Sequence, residues 1–259
     1  MTNMEFTKDI AGKKLLVKID NLAEQANGSV FVQLGETLVL ATATMSNTDI
    51  EGQDFFPLTV EFQERYYAAG KILGSRFVRR EGRPSEESIL TARLIDRAIR
   101  PLFPEHLRRE VQVIITCLSW DEENDPDIPG LLAASLALGI SDIPWNGPVG
   151  IVRIAKLKEK IIVNPTYQQR EEAGLEVTVS GVEEKNGVLI NMIEAEASEK
   201  NEKEIKDTIE ETQKIIKDLI IFQKEIIQKI GKEKVHIEEP ETFEEIDKQI
   251  EQNFKEKLE

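Results

Sequence analysis

The arginines of this 259-residue chain are concentrated in one stretch of the sequence. Ten of its twelve arginines lie within residues 65–109, where eleven basic residues face five acidic ones, although the whole chain has a formal net charge of −15. A guanidinium group is planar and always charged, and it donates paired hydrogen bonds to phosphate and stacks on bases. The concentration of arginine therefore predicts a polyphosphate ligand, and RNA is the first hypothesis. The alternative is that these arginines only form ion pairs with neighbouring carboxylates.

Two adjoining elements carry most of these arginines. Residues 69–83 are rich in Gly and Arg and too polar to be buried, which predicts a surface loop of the kind that carries function. A helix is predicted to follow, because Ser85 is a good N-cap, two glutamates come directly after it, and Pro101 ends the pattern near Ile99. Arg93, Arg97 and Arg100 are spaced four and three residues apart, so they share one face of this helix. The loop and the helix are thus expected to present arginines to one groove.

The remaining pattern predicts an α+β or α/β fold, of which α+β is the preferred class. Gly35 and Glu36 separate two β-rich runs and indicate a hairpin. Strands are predicted over residues 14–19, 28–34, 37–44, 111–118, 150–155, 160–163, 175–180 and 188–195, with an extended segment over 53–62 and a helix over 128–140. We expect one domain over residues 1–197, followed over 198–259 by an acidic helical segment with helices at 199–230 and 243–258.

Several classes of protein are disfavoured by composition. A single cysteine, Cys117, gives no disulfide framework and favours a reducing cytoplasm. The two histidines, His106 and His236, lie far apart without cysteine or histidine at metal-ligand spacing, so a structural zinc site is not expected. The sequence shows no signal-peptide pattern, no apolar run of about 20 residues that could cross a bilayer, and no phosphate-binding loop or dinucleotide fingerprint.

Long sequence motifs resemble those of bacterial polynucleotide phosphorylase, in the first of its ribonuclease-PH-like repeats. The motifs are GQDFFPLTV at 52–60, QER at 63–65, AAGK at 68–71, RREGRPSE at 79–86, ARLIDR at 92–97, IRPLFP at 99–104, NDPDI at 124–128, ASLAL at 134–138 and IPWNGP at 143–148. The resemblance covers residues 5–197, and the tail is similar to the start of the all-helical domain of that family.

The resemblance implies a ribonuclease-PH-like fold in which two repeats per chain assemble as a trimer around a pore. It also implies phosphate-dependent 3′-to-5′ degradation of mRNA with release of nucleoside diphosphates in the cytoplasm. The complete family enzyme uses Mg²⁺ and inorganic phosphate, and we expect this chain alone to bind neither. The expected partners are single-stranded RNA and further copies of the chain, with no DNA and no membrane.

This repeat is expected to lack catalytic residues. The active repeat of the family has a serine run before the helix at 128–140, where this chain has Asn124, Asp125, Pro126 and Asp127. Alignment with the family's two aspartates and lysine places Arg170 and Glu176 at the aspartates and Thr178 at the lysine, so only one acid of the set is retained. We therefore predict no catalytic site and no metal site within this repeat.

The arginine-rich loop retains more of the family pattern. By resemblance it narrows the pore around single-stranded RNA, although Val78 replaces an aromatic residue and Arg76 is an apparent insertion. The predicted RNA-binding residues are Phe77, Arg79, Arg80, Arg83, Arg93, Arg97 and Arg100. Two other functions stay open: a stand-alone phosphorolytic exoribonuclease like ribonuclease PH, and a non-enzymatic scaffold subunit.

Overall fold

The computed structural model describes residues 4–20, 23–50, 52–72, 82–157, 160–185, 187–237 and 253–254. It confirms the predicted α+β class, with ten strands and four α-helices in the described ranges. The strands are β1 Met4–Ile10, β2 Lys13–Ile19, β3 Gly28–Leu34, β4 Thr37–Met45, β5 Leu58–Gln63, β6 Val111–Ser119, β7 Val149–Leu157, β8 Lys160–Val163, β9 Leu175–Glu184 and β10 Gly187–Ala197. The helices are α1 Glu86–Ile99, α2 Asp127–Ile140, α3 Tyr167–Glu171 and α4 Glu202–Ile230.

The first sheet has six strands in the order β1-β2-β3-β4-β6-β5. Its neighbouring strands are antiparallel except for β5 and β6, which are parallel. The predicted hairpin joins β3 to β4, and Gly35 at its turn has a φ of 63°, a left-handed conformation that glycine adopts without steric cost. Alternate residues of β3, β4 and β6 are buried, which explains why alternation in the sequence identified these strands.

Helix α1 connects the two parallel strands and packs on β5. Its N-cap is Ser85, as predicted, whose side chain accepts a hydrogen bond from the amide of Ser88. A short 3₁₀ helix, Tyr66–Ala69, precedes it, and its Ala68 carbonyl accepts a hydrogen bond from the amide of Trp120 at the end of β6. The end of β5, the 3₁₀ helix and the start of α1 are therefore held close together.

The second sheet has four antiparallel strands in the order β10-β9-β7-β8. Helix α2 packs against β3 and β4 of the first sheet and against β7 of the second. All of its 14 residues are buried, which accounts for its composition of small and aliphatic residues. The N-terminus of α2 thus lies at the junction of the two sheets.

Helix α4 packs on β7 and β9, and its C-terminal half reaches α2. Ile216, Leu219, Ile220 and Ile226 are buried, so the apolar face of this amphipathic helix packs on the domain. The boundary predicted near residue 197 stays a prediction. Of the helix predicted over 243–258, only residues 253–254 lie within the described residues.

Candidate functional site

A cleft of about 880 Å³ lies between the end of β5, the 3₁₀ helix and the exposed side of α1. Five basic and three acidic residues line it, so it has an excess of positive charge in a strongly acidic chain. The basic residues are Arg65, Lys71, Arg83, Arg93 and Arg97, and the acidic ones are Glu61, Glu64 and Asp96. A groove lined by arginines of α1 and by Arg83, two residues before the N-cap, is therefore present.

The structure brings together three of the predicted RNA-binding residues. Arg83, Arg93 and Arg97 all line the cleft and are exposed. Arg97 also donates a hydrogen bond to Glu194 of β10, in a pair whose side chains are 50% and 55% exposed. An ion pair so open to solvent is worth at most about 1 kcal/mol, so a phosphate can compete for this guanidinium.

Arg100 has a different environment and does not line the cleft. Its guanidinium binds both carboxylate oxygens of Asp96 at 2.6 Å and donates to the carbonyl oxygen of Leu58 at 3.2 Å. The hydrogen bond with Asp96 raises the pKa of Arg100 against the opposing effect of burial. This arginine therefore fastens α1 to the start of β5, which is the ion-pair alternative considered for the arginines above. Phe77, Arg79 and Arg80 lie outside the described residues.

Aromatic residues in the cleft were not among the predicted site residues. Tyr66, Trp120 and Tyr167 line it, and the rings of Trp120 and Tyr167 meet edge to face with centroids 6.0 Å apart. Burial raises the pKa of Tyr167, and the carboxylates of Asp125 and Asp127 add to this effect. Base stacking on aromatic side chains is the usual means of binding single strands without sequence preference. The aromatic pair in the sequence at 66–67 was the available signal for Tyr66, but residues 120 and 167 meet only in the fold.

A second group of charged residues lies at the N-terminus of α2 and is buried. Its centre is Arg153 of β7, whose side chain is 7% exposed. The Arg153 guanidinium donates to Asp125 at 2.8 Å, to Asp127 at 2.5 Å and to the hydroxyl of Thr178 at 3.0 Å. It also forms an ion pair with Glu176 at 3.2 Å.

Arg170 of α3 completes this buried ion cluster. It binds Asp125 at 2.5 Å and Glu176 at 2.8 Å, so the two arginines share two of the three carboxylates. The buried ion cluster is therefore defined by Asp125, Asp127, Arg153, Arg170, Glu176 and Thr178. It contains every residue that alignment placed at the family's catalytic aspartates and lysine, together with two acids of the segment at the serine run.

The pKa shifts within the cluster follow from burial and charge. Burial would lower the pKa of Arg153, but Asp127, Asp125 and Glu176 outweigh it and raise that pKa. Burial acts to raise the pKa of Asp125, but the charges of the two arginines outweigh burial, and the pKa is lowered. For Asp127, burial and the nearby Asp125 outweigh Arg153 and raise the pKa to about 7. Three carboxylates facing two guanidinium groups thus leave one carboxylate short of a positive partner.

Mg²⁺ and phosphate do not fit this cluster. The oxygens that would coordinate a metal are bound by guanidinium groups, and the aspartates would repel a phosphate. Among the residues that the structure describes, no group of three or more His, Cys, Asp or Glu has an arrangement that could hold a metal ion. Arg153 was missed at the sequence level, where its one signal was a lone arginine within the apolar run at 149–155.

In the described part of the chain, no helix combines the length and the apolar character required to cross a membrane. Comparison with solved structures shows a shared fold. Rice Rrp46 matches with a TM-score of 0.64 at 12% identity, over 88% of this chain and 94% of that one. A chain of a structure described as the Archaeoglobus fulgidus exosome with RNA bound to the active site matches with a TM-score of 0.62 at 19% identity, over 85% and 89% of the two chains.

Comparison with curated proteins gives much closer relatives. The chain is 49% identical to the polyribonucleotide nucleotidyltransferase of Pseudothermotoga lettingae, over 95% of this chain and 34% of that protein. It is 46% identical to the polyribonucleotide nucleotidyltransferase of Thermus thermophilus, over 93% and 33%. The chain therefore spans about a third of the length of these relatives. The resemblance to polynucleotide phosphorylase, another name for this enzyme, is confirmed.

Two family descriptions match successive parts of the chain. Residues 11–144 match domain 1 of the 3′ exoribonuclease family, and residues 147–215 match domain 2. The first match includes strands β2 to β6 of the six-stranded sheet, α1 and α2, and the second includes the four-stranded sheet and the first half of α4. Together they cover most of the chain, so this protein belongs to the 3′ exoribonuclease family.

Proposed function

We propose that the chain forms the N-terminal RNA-channel and assembly portion of a polynucleotide phosphorylase. The complete enzyme would be a phosphate-dependent 3′-to-5′ exoribonuclease that degrades mRNA in the cytoplasm and releases nucleoside diphosphates. Mg²⁺ and inorganic phosphate would then act at a second repeat. The complete protein would assemble as a homotrimer.

The cleft beside α1 is the observation that carries the RNA-binding part of this proposal. Arg83, Arg93 and Arg97 would bind phosphates, while Tyr66 at the same cleft offers a ring on which a base can stack. Phe77, Arg79 and Arg80, which lie outside the described residues, are proposed as further RNA-binding residues on the resemblance of their sequence motif. Arg100 would contribute by holding α1 in place, because its guanidinium donates to the carbonyl oxygen of Leu58 at the start of β5.

The buried ion cluster supports a non-catalytic role for this repeat. Phosphorolysis requires a site that accepts phosphate and a cation that neutralises developing charge. In this chain the corresponding side chains are bound to one another, and Asp125 and Asp127 stand where phosphate donors would be needed. The RNA-bound exosome structure that shares this fold belongs to a different assembly, but it makes RNA the natural ligand to test first.

Binding of single-stranded RNA by the purified chain tests the proposal. We expect weak binding of a fluorescent oligonucleotide. A plot of log K against log salt concentration should have a slope of about −4, the value for about six phosphate contacts. Matched single-stranded DNA should be the weaker competitor. Binding that does not respond to salt, or no binding, would contradict the RNA-channel role.

Incubation of the same chain with RNA, phosphate and Mg²⁺ tests the non-catalytic assignment separately. We expect no nucleoside diphosphate, since the side chains that would hold phosphate and metal are occupied. Phosphate-dependent release of nucleoside diphosphates by this chain alone would instead establish the stand-alone phosphorolytic exoribonuclease.

A further inference from the structure

Arg153 has the surroundings of a bound metal ion rather than those of an ordinary surface arginine. Three carboxylates and one hydroxyl surround its guanidinium, each within 3.2 Å at the closest approach. The side chains of Arg153, Asp127 and Glu176 are only 7%, 6% and 16% exposed. Oxygen ligands of this kind, gathered from separate elements around one positive centre, are what hard divalent cations require.

The ligands come from two parts of the fold, the start of α2 and the paired strands β7 and β9, in which Arg153 lies opposite Thr178. Asp125 and Asp127 belong to the segment that leads into α2, Thr178 and Glu176 belong to β9, and Arg153 belongs to β7. A single positive centre therefore joins the second sheet to the N-terminus of the buried helix. The resemblance to the family places Glu176 at one of the two aspartates of the active repeat, so the cluster lies where that repeat carries its acids.

The charges of the cluster also resemble those around a bound metal ion. Arg153 and Arg170 face the carboxylates of Asp125, Asp127 and Glu176, so two positive charges oppose three negative ones. Without Arg153, three carboxylates would face Arg170 alone. A divalent cation in the vacated space would neutralise that excess, whereas an unpaired buried carboxylate is strongly destabilising.

We propose that the guanidinium group of Arg153 is a built-in cation that takes the place of a divalent metal ion in this repeat. It holds the second sheet to α2 without a cofactor and closes the site to metals. This inference depends on the geometry of the buried ion cluster and not on RNA binding, so either proposal can fail without the other. It also explains how the repeat can retain Glu176 and its neighbouring acids without acquiring a metal.

The variant Arg153→Ala tests the proposal, because it removes the guanidinium and leaves space beside the three carboxylates. Mn²⁺ binding is measured by titration calorimetry, and thermal unfolding is followed with and without Mn²⁺. We expect the variant to bind Mn²⁺ at least about tenfold more tightly than the unchanged chain, with a midpoint of unfolding that rises with Mn²⁺ concentration. Adding Asp127→Asn to the variant should abolish this gain.

Arg153→Lys is the matched control, since it keeps a positive charge between the carboxylates and should bind Mn²⁺ no better than the unchanged chain. A folded Arg153→Ala variant with no gain in Mn²⁺ binding would overturn the proposal. If that variant is unfolded without metal, recovery of its native circular dichroism in Mn²⁺ supports the proposal, and failure to recover contradicts it. Independently of the variant, Mn²⁺ binding by the unchanged chain that Asp127→Asn removes would show that Arg153 does not close the site.

Discussion

The cleft beside α1 and the buried ion cluster both contain arginines and acidic residues, but the two regions differ in whether the arginines are open to a ligand. In the cleft, Arg97 pairs with one carboxylate of the described residues, that of Glu194, and both side chains are about half exposed, so its guanidinium remains open to a ligand. In the cluster, Arg153 has three carboxylate partners and is 7% exposed, so its hydrogen-bonding capacity is used within the protein. The number of protein acceptors and the degree of burial, rather than the presence of arginine, distinguish a binding surface from a structural one.

The largest expected difference concerns stability. Arg153→Ala should lower the free energy of unfolding by about 3–5 kcal/mol, because it leaves buried carboxylates without their positive partner. Arg97→Ala should lower it by less than about 1 kcal/mol, since both members of that pair are exposed. Urea unfolding of both variants measures the two values. Equal losses would show that the contrast between cluster and cleft has no energetic basis.

For RNA affinity, unlike stability, we expect substitutions in the cleft to have the large effects. Arg83→Ala and Arg93→Ala should each weaken binding of a single-stranded oligonucleotide by about tenfold, through loss of one charge-assisted phosphate contact. Each should also reduce the steepness of the salt dependence by about 0.7. Fluorescence anisotropy across a salt series measures both quantities.

Arg109→Ala is the control for these affinities. It removes the same charge, but Arg109 pairs with Asp49 and does not line the cleft. Its affinity should stay within about twofold of the unchanged chain, because long-range charge effects are screened beyond about 10 Å in moderate salt. A loss equal to that of Arg93→Ala would mean that net charge, and not the cleft, governs binding.

Arg100 is intermediate between the arginines of the cleft and those of the cluster in how strongly the protein binds its guanidinium. Its variant therefore sharpens the comparison. Its bidentate pair with Asp96 predicts that Arg100→Ala lowers the free energy of unfolding by about 1 kcal/mol. RNA affinity should change less than it does in Arg93→Ala when both are measured well below the unfolding temperature. An affinity loss as large as that of Arg93→Ala, with unchanged stability, would instead place Arg100 at the RNA.

Sequence patterns identified what depends on local order along the chain. The Ser85 cap, the turn at Gly35 and the burial of α2 follow from neighbouring residues, so each could be predicted. Strand β1 was missed because its charged and polar residues are mostly exposed at the edge of the sheet, and α3 was missed because it is only five residues long. Its capping box at Thr166 was the available sign.

The residues of the candidate site also divide into those that local order predicts and those that it does not. The face shared by Arg93 and Arg97 follows from helical spacing, and both residues do line the cleft. The partners of Arg153 could not be predicted, because they lie 23 to 28 positions away, at the start of α2 and on β9. Alignment named Arg170, Glu176 and Thr178 as replacements for catalytic residues. Only the fold shows that these replacements bind one another around a further arginine.

The smallest expected effect concerns the loop that leads into the buried ion cluster. Burial acts to raise the pKa of Asp121, but hydrogen bonds from the amide and side chain of Asn124, and from the amides of Glu123 and Glu36, lower it to about 2. An aspartate whose pKa is lower in the folded chain than in the unfolded one contributes its full stabilisation at pH values above the unfolded pKa of about 4. That contribution is lost as the pH falls from about 4 toward 2.

Asp121→Asn should therefore lower the free energy of unfolding by about 1 kcal/mol near neutral pH, where the carboxylate accepts all four hydrogen bonds. The difference from the unchanged chain should shrink as the pH falls from about 4 toward 2, because the carboxyl group is protonated first in the unfolded chain and then, near its folded pKa of about 2, in the folded one. Urea unfolding at a series of pH values measures this difference. Asp49→Asn is the control, since Asp49 is 61% exposed and its pair with Arg109 should contribute little at any pH. A difference for Asp121→Asn that stays constant across the series would show that its charge does not hold the loop, leaving the arginines of the cluster to position Asp125 and Asp127.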